Sequence, residues 1–354
     1  MGFGPCGDRP RSEHAACLHR RRNRPRAPGP HPAVAAGVTG FRHLAALAAP
    51  PLPETAAFAT DLEAKLAALP ASHEVEVAVS RAARAAGKGV FPPGGPLDSA
   101  AWRPAPIPAG RVRVTLPQGA PIGVYLHVHG GGWTFGEPEQ YDLWNARLAL
   151  AAQVAVVSVP YRLAPEHVWP ACADDVEAAA LWLADAAQAL FGVQGLAIGG
   201  ESAGAHLAAV TLLRLRARGL GDRFAGVLFN YGVFDLRMTP SMAAWGPRKL
   251  VLSTPTVDWF TDNLTGGDRA LRADPALSPL LADLKGLPPA LMQVGTSDPL
   301  LDDTTFMAAR LAAAGVAVDL RVHPGGVHGF DMFDLAIARD AQAAGAAFLR
   351  ARFS

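Results

Sequence analysis

The sequence predicts an α/β fold, a mostly parallel sheet with helices on both faces and a small helical cap. Three observations lead there. From residue 111 onward, apolar runs of four to seven residues alternate with longer stretches of helical period. The runs are close to continuously apolar, which is how strands covered on both faces read. Residues 41–100 lack such runs and carry an amphipathic stretch and proline-rich loops instead. The expected organisation is a disordered tail over 1–40, cap helices and loops over 41–100, and an α/β domain over 101–354 with lid elements in 231–289.

The tail comes first. "HRRRNRPRAPGPHP", residues 19–32, is rich in Arg and Pro and cannot bury an apolar face. Arg20, Arg21 and Arg22 fit a twin-arginine export signal only if a clean apolar stretch follows. Pro25, Pro28, Pro30, Pro32, Arg42 and His43 interrupt it, so a cytoplasmic protein is expected. Another reading starts the natural protein downstream, at the codon read as Val34 or Val38, and either way residues 1–33 are expected to be dispensable. Next, "PPLPETAAFATDLEAKLAALP" sets Phe58, Leu62, Leu66 and Leu69 on one helical face, after Pro51 and Pro53 and before Pro70. "GVFPPGGP" reads as a loop.

Strands then fall near 111–116, 122–128, 154–159, 195–199, 225–230, 290–295 and 317–322. Helices fall near 138–151, 171–190, 203–218, 303–314 and 335–352. The interval 231–289 breaks this rhythm, with Trp245, Trp259 and Phe260 among polar residues, and supplies a helix or two of a lid. Half of the 354 residues are hydrophobic, enough for one large core. Net charge is +1, but residues 1–30 hold seven Arg against Asp8 and Glu13, so the remainder is slightly acidic. That argues against a nucleic-acid partner. Cys6, Cys17 and Cys172 form no disulfide framework, and no apolar run of 18 or more residues suggests a membrane span.

The chemistry begins at "GLAIGGESAGAHLAA", residues 195–209. An apolar strand stops at Ser202 and a helix starts at once. Such a turn crowds two backbones and needs small residues two positions either side of the serine, here Gly200 and Gly204. A second signal, "HVHGGGW" at 127–133, follows a strand. Its glycines let the backbone approach a ligand and aim amides at an oxyanion. Gly131 and Gly132 are the expected donors, joined by Ala203, whose amide also opens a helix. The base expected for this serine is His328, in the Gly-rich "HPGGVHGF" at the carboxyl end of the sheet. His323, at a strand end, reads as structural, and His206 points along the elbow helix. The acid is Asp298, just past the strand "ALMQVG". Asp302 and Asp303 lie where helix capping explains an acid. The order Ser202, Asp298, His328 is that of a strand–elbow–helix hydrolase.

These motifs resemble the hormone-sensitive-lipase-like branch of the α/β-hydrolase esterases. "HGGGW", "YRLAPEHVWPA" at 161–171, "GESAG", and "DPLLDD" followed by "HGF" carry the resemblance, with "DPALSPL" and "LPPALMQVG" as lesser matches. It covers about residues 41–352 and implies the α/β-hydrolase fold, with an eight-stranded mostly parallel sheet, an N-terminal helical cap, no cofactor and short-acyl carboxylic ester substrates. It also implies a homodimer formed through the last strand and helix. Ser202, Asp298 and His328 are then the catalytic triad, working through an acyl-enzyme. Metal chemistry is not expected, since neither H-E-x-x-H nor paired cysteines occur.

Two residues fit the pattern less closely. Glu201 stands where the branch more often has Asp, and it reads either as a hydrogen-bonded structural acid or as a residue that tunes the substrate pocket. Trp133 reads as a pocket wall or as plain core. Arg162 and Glu166 read as structural, paired with each other near the glycine loop. "SAGAHLAA" and a glycine run followed by Trp also resemble arylformamidase-type hydrolases, which keeps amide hydrolysis as an alternative. A non-catalytic binding protein of the same fold is the distant one, since it would be expected to lack a triad member.

Overall fold

A computed structural model of the protein describes residues 1, 2 and 44–354. The expected tail, Cys6, Cys17, the arginine cluster and the alternative starts lie outside the described residues. Eight strands form one sheet: β1 (Ala100–Pro104), β2 (Arg111–Thr115), β3 (Gly123–Val128), β4 (Val154–Val159), β5 (Leu196–Glu201), β6 (Gly226–Asn230), β7 (Ala290–Ser297) and β8 (Val318–Val327). Their order is β1-β2-β4-β3-β5-β6-β7-β8. β2 pairs antiparallel with β1 and β4, and every other pairing is parallel.

The continuous apolar runs have the expected cause. Along β4, Ala155, Val157 and Val159 join one core cluster, while Val154 and Val156 join the cluster on the opposite face. The same alternation holds in β5, with Leu196 and Ile198 against Ala197. Each fully buried Val or Leu contributes about 1.5–3 kcal/mol relative to exposure, so both faces must be covered. The helices are α1 (Pro53–Ala67), α2 (Val77–Ala85), α3 (Asp142–Ala152), α4 (Ala171–Phe191), α5 (Ala203–Ala217), α6 (Pro240–Trp245), α7 (Thr254–Thr265), α8 (Leu301–Ala313) and α9 (Ala336–Phe353). Residues of α4, α5 and α8 fill the larger cluster, those of α3 the smaller, and α9 contributes to both.

α1 and α2 meet the 231–289 insertion. Arg248 of that insertion pairs with Glu63 on α1, and Lys249 Nζ donates to the Leu69 carbonyl at 2.9 Å. The ring of His73 lies 3.0 Å from Thr256 Oγ1 on α7. These contacts join the cap and the insertion into one roof at the carboxyl ends of the strands, where parallel sheets gather their sites.

Four details differ from expectation. β1 was not foreseen, because "AAWRP" is a short antiparallel edge strand ending in Pro, largely exposed and without apolar alternation. β8 runs on through "HPGGV", so part of the presumed loop is strand. A Cβ on Gly295 would overlap the Gly326 backbone, and the two glycines let the chains touch where the register shifts between Gly295 and Ser297. α1 ends at Ala67, so Leu69 leaves the helix face and is exposed. α8 starts two residues before 303, at Leu301.

β5 passes into α5 through a single residue, Ser202, at φ 56° and ψ −119°. A Cβ on either Gly200 or Gly204 would overlap the Val128 carbonyl oxygen. In the first turn of α5, Ala would otherwise be the better helix residue by about 1 kcal/mol. Relieving an overlap of this kind costs about 1–3 kcal/mol, at times more. The overlap wins, so Gly204→Ala should lower the unfolding free energy measured in urea. A gain in stability would mean that strand and helix have slack at this crossing.

Candidate active site

Three strand ends deliver the expected residues to one place. Ser202 rides the β5–α5 turn, its amide held by the Asn230 carbonyl at 2.9 Å. Asp298 follows β7, and its Oδ1 accepts the Leu300 amide at 2.9 Å. His328 follows β8. The structure brings the three into a chain: His328 Nε2 lies 3.0 Å from Ser202 Oγ, and His328 Nδ1 lies 2.9 Å from Asp298 Oδ2. Asp298 and His328 are buried. Tyr231 sets its ring edge against the imidazole, centroids 4.9 Å apart. A hydroxyl, imidazole and buried carboxylate in this order can move a proton off the serine and hold the resulting imidazolium.

The glycine loop lies beside the serine. Gly131 has φ +115° and Gly132 φ +60°, a region closed to most side chains. A Cβ on Gly131 would strike the Phe135 carbonyl, and one on Gly132 the Phe260 ring. The amides of Gly131, Gly132 and Ala203 donate to no backbone carbonyl among the described residues, which leaves them open to an incoming oxygen. Ser202, His328, Gly131 and Gly132 line one cavity of about 240 Å³, roofed by the cap and by α7.

A family model of the alpha/beta hydrolase fold matches residues 125–332, which spans the glycine loop, the serine, the acid and the histidine. The chain belongs to that family. Among its relatives is the carboxylic ester hydrolase LipN of Mycobacterium tuberculosis, 39% identical over 238 residues, which are 65% of this chain and 62% of LipN. Among solved structures, the hyperthermophilic esterase of the archaeon Pyrobaculum calidifontis matches with TM-score 0.76 at 30% identity, over 86% of this chain and 99% of that one. A hormone-sensitive lipase from a metagenome library matches with TM-score 0.76 at 27% identity, over 86% and 100%. These similarities set the chain in the hormone-sensitive-lipase-like branch of the α/β-hydrolases.

In this hydrolase Glu201 is buried and fully engaged. Both its oxygens lie 3.2 Å from His127 Nε2, and Oε1 accepts the Gly130 amide at 3.2 Å. His127 Nδ1 receives Asn145 Nδ2 at 3.3 Å and lies 2.7 Å from Ser158 Oγ. These contacts assign the ring proton to Nε2, facing the carboxylate. Glu201 therefore grips the residue just before the open amides. Trp133 is buried, lines the cavity, and donates Nε1–H to His206 Nδ1 at 3.1 Å. His206 Nε2 donates in turn to the Leu277 carbonyl at 2.7 Å, so this ring is turned away from Ser202. His323 packs on Phe330 with centroids 4.7 Å apart, its Nε2 3.3 Å from Gln293 Oε1.

Arg162 and Glu166 do not pair with each other. Arg162 makes a bidentate pair with Asp175 of α4, and Glu166 one with Arg81 of α2. The first fastens the segment after β4 to its own helix; the second fastens it to the cap. Asp302 and Asp303 sit in the first turn of α8 as expected, yet they hold the insertion rather than the helix end. Asp303 accepts the amides of Phe234 and Asp235 and the Thr239 hydroxyl, and Asp302 accepts the Ser241 amide. Reading the sequence assigns no role to His127, His129, Tyr231 or Asp331. The alternating histidines of "HVHGGGW" are a usable signal for two of them. Asp331, which accepts the Tyr231 hydroxyl, is pushed up to about 6 by burial and carries no signal beyond its place after "HGF".

Burial holds His206 down to about 4 and His129 down to about 3. In the unfolded chain both take up a proton near pH 6.5. Between about pH 6.5 and 4 the unfolded state binds more protons, so their contribution to stability is present above pH 6.5 and is lost as pH falls through that window. Asp303 and Asp331, raised by burial to about 7 and about 6, act in the opposite sense. The difference in slope is therefore diagnostic. His206→Gln should make the slope of unfolding free energy against pH between pH 6.5 and 4.5 less positive by up to about 1.4 kcal/mol per pH unit, one proton's worth. An unchanged slope in urea titrations would mean that the ring is not kept neutral.

Proposed function

We propose that the protein is a serine carboxylesterase that cleaves small, short-acyl esters through an acyl-enzyme. The observation that carries this is the contact chain from Ser202 Oγ through His328 to Asp298, opening on a cavity beside three unengaged amides. His328 takes the serine proton as Oγ attacks the ester carbonyl. The amides of Gly131, Gly132 and Ala203 receive the oxyanion, and His328 returns the proton to the leaving alcohol. Water, activated by the same imidazole, then releases the acid. Asp298 keeps the ring in one tautomer and balances its positive charge. No step calls for a metal or cofactor.

The size of the cavity supports small substrates, and the names of the relatives support esters. Among the described residues β8 ends the sheet with one edge unpaired, which supports a homodimer formed through β8 and α9. Among the described residues no helix is long and apolar enough to cross a membrane, and the reading includes action on dissolved esters in the cytoplasm.

An acyl-length series of aryl esters, run beside an aryl formamide and emulsified triglyceride, tests the proposal. Butyrate esters should react fastest, with a burst of alcohol and covalent labelling by an organophosphonate. Faster turnover of the formamide would move the protein to the amide hydrolases. Ser202→Ala and His328→Ala should each cost about 10⁶-fold in turnover, and Asp298→Asn about 10⁴-fold. An active His328→Ala beside a dead His323→Ala would overturn the choice of base.

Glu201 acts on this reading as a positioning residue, holding Gly130 and through it the oxyanion amides. Glu201→Gln should lower kcat by roughly tenfold, since small misplacements at a site are expensive, and weaken a boronate transition-state analogue in parallel while KM stays close to wild type. A change confined to KM would assign Glu201 to substrate binding instead.

A further inference from the structure

Two arginines project from α2, one turn apart, and they differ in what they touch. Arg81 is saturated. Its Nε donates to the Thr134 carbonyl at 2.9 Å, its Nη1 and Nη2 pair with Glu166 at 2.8 and 2.9 Å, and Nη2 also reaches the Ala164 carbonyl at 2.8 Å. Arg84 has nothing of the kind. Among the described residues it makes no side-chain hydrogen bond and no ion pair, and its guanidinium lies over the Phe135 ring, 4.5 Å from the centroid. It is half-buried and lines the same cavity as Ser202 and His328.

A planar cation with five donors, partly withdrawn from water and given no acceptor, is an incomplete arrangement. Stacking on Phe135 accounts for where the guanidinium plane rests, but it uses none of the N–H groups. The rest of the cavity leans the same way. Lys88 and Lys249 also line it, and Lys249 is taken up by the Leu69 carbonyl and by Glu74 at 3.6 Å. Its one carboxylate, Glu201, is already committed to His127 and Gly130. The field offered to a ligand is positive, and the cavity of about 240 Å³, lined by both Ser202 and Arg84, has the size of a single small molecule.

We propose that the substrates are esters that bear a carboxylate of their own, which Arg84 receives as a bidentate partner while Ser202 attacks the ester. The inference rests on the esterase reading and narrows it. The hydrolytic step is unchanged: the acyl C–O bond breaks, water supplies the hydroxyl of the acid, and its proton goes to the leaving alcohol. The second carboxylate stays intact and serves only for binding and orientation.

The test compares matched pairs in which an isopropyl group replaces the carboxylate. Monoethyl succinate against ethyl 4-methylpentanoate sets the charge on the acyl side. Acetoxypropanoate (acetyl on the terminal oxygen) against 3-methylbutyl acetate sets it on the alcohol side. In the wild type at least one pair should favour the anion in kcat/KM. Arg84→Met should lower that anion-to-neutral ratio by about tenfold or more, the scale of a lost charged hydrogen-bond pair, chiefly through KM, and Arg84→Lys should fall between. A structural role for Arg84 would alter both members of a pair alike and leave the ratio in place, and that result overturns the proposal. Binding is read separately from turnover: Ser202→Ala protein should bind monoethyl succinate more tightly than Ser202→Ala/Arg84→Met. Equal binding overturns the anion site. Loss of all ester turnover in the wild type, with that binding difference intact, overturns the esterase reading alone.

Discussion

The Val128 carbonyl oxygen is the point against which the site is built. It occupies the space that a Cβ on Gly200 or on Gly204 would need, so β3 packs against the end of β5 and the start of α5 at backbone distance. The chain that leaves Val128 is the glycine loop, and the residue between Gly200 and Gly204 that turns the corner is Ser202. One close approach thus sets the separation between Ser202 and the open amides of the glycine loop. The positive φ of Ser202 costs of order 1–3 kcal/mol, and it persists because the sheet holds Glu201 on one side and α5 holds Ala203 on the other.

Three carboxylates cluster around this corner, and their partners divide the work. Asp298 accepts one backbone amide and faces the His328 ring. Glu201 accepts the Gly130 amide and faces His127, so its oxygens are committed to the loop. Asp331 accepts only the Tyr231 hydroxyl among side-chain partners, and burial pushes it up to about 6. Residue type alone does not distinguish them; the donors around each one do.

Much of this is legible in the sequence, and the limits have physical causes. Parallel strands buried on both faces announce themselves as apolar runs, so seven of the eight stand out. β1 hides because an exposed edge strand obeys no strong pattern. Ser202, Asp298 and His328 can be picked out because strand–turn–helix geometry demands glycines at set spacing and the acid and base must follow later strands. The partners of Arg162 and Glu166 could not be read, since each lies across a tertiary contact, to α4 and to α2, that no local spacing encodes. Glu201 reads in the sequence as a structural acid or a pocket residue, and which donors it finds depends on the β3–β5 register that sets His127 opposite Gly199.

Floor and roof of the cavity answer to different constraints. The floor is backbone: glycine amides, a strained turn and strand ends, fixed by overlaps that tolerate no added atom. The roof is side chains from short helices that touch the floor through few anchors, such as Arg81 to Glu166 and to the Ala164 and Thr134 carbonyls. A roof of this kind can change its residues without disturbing Ser202 and His328, because among the described residues no roof residue hydrogen-bonds to either. Substrate choice is therefore expected to reside in the cap while reaction type resides in the sheet. Arg81 and Arg84 illustrate the division within a single helical turn. The first has its donors consumed in fastening α2 to the segment after β4, while the second lines the cavity it shares with Ser202.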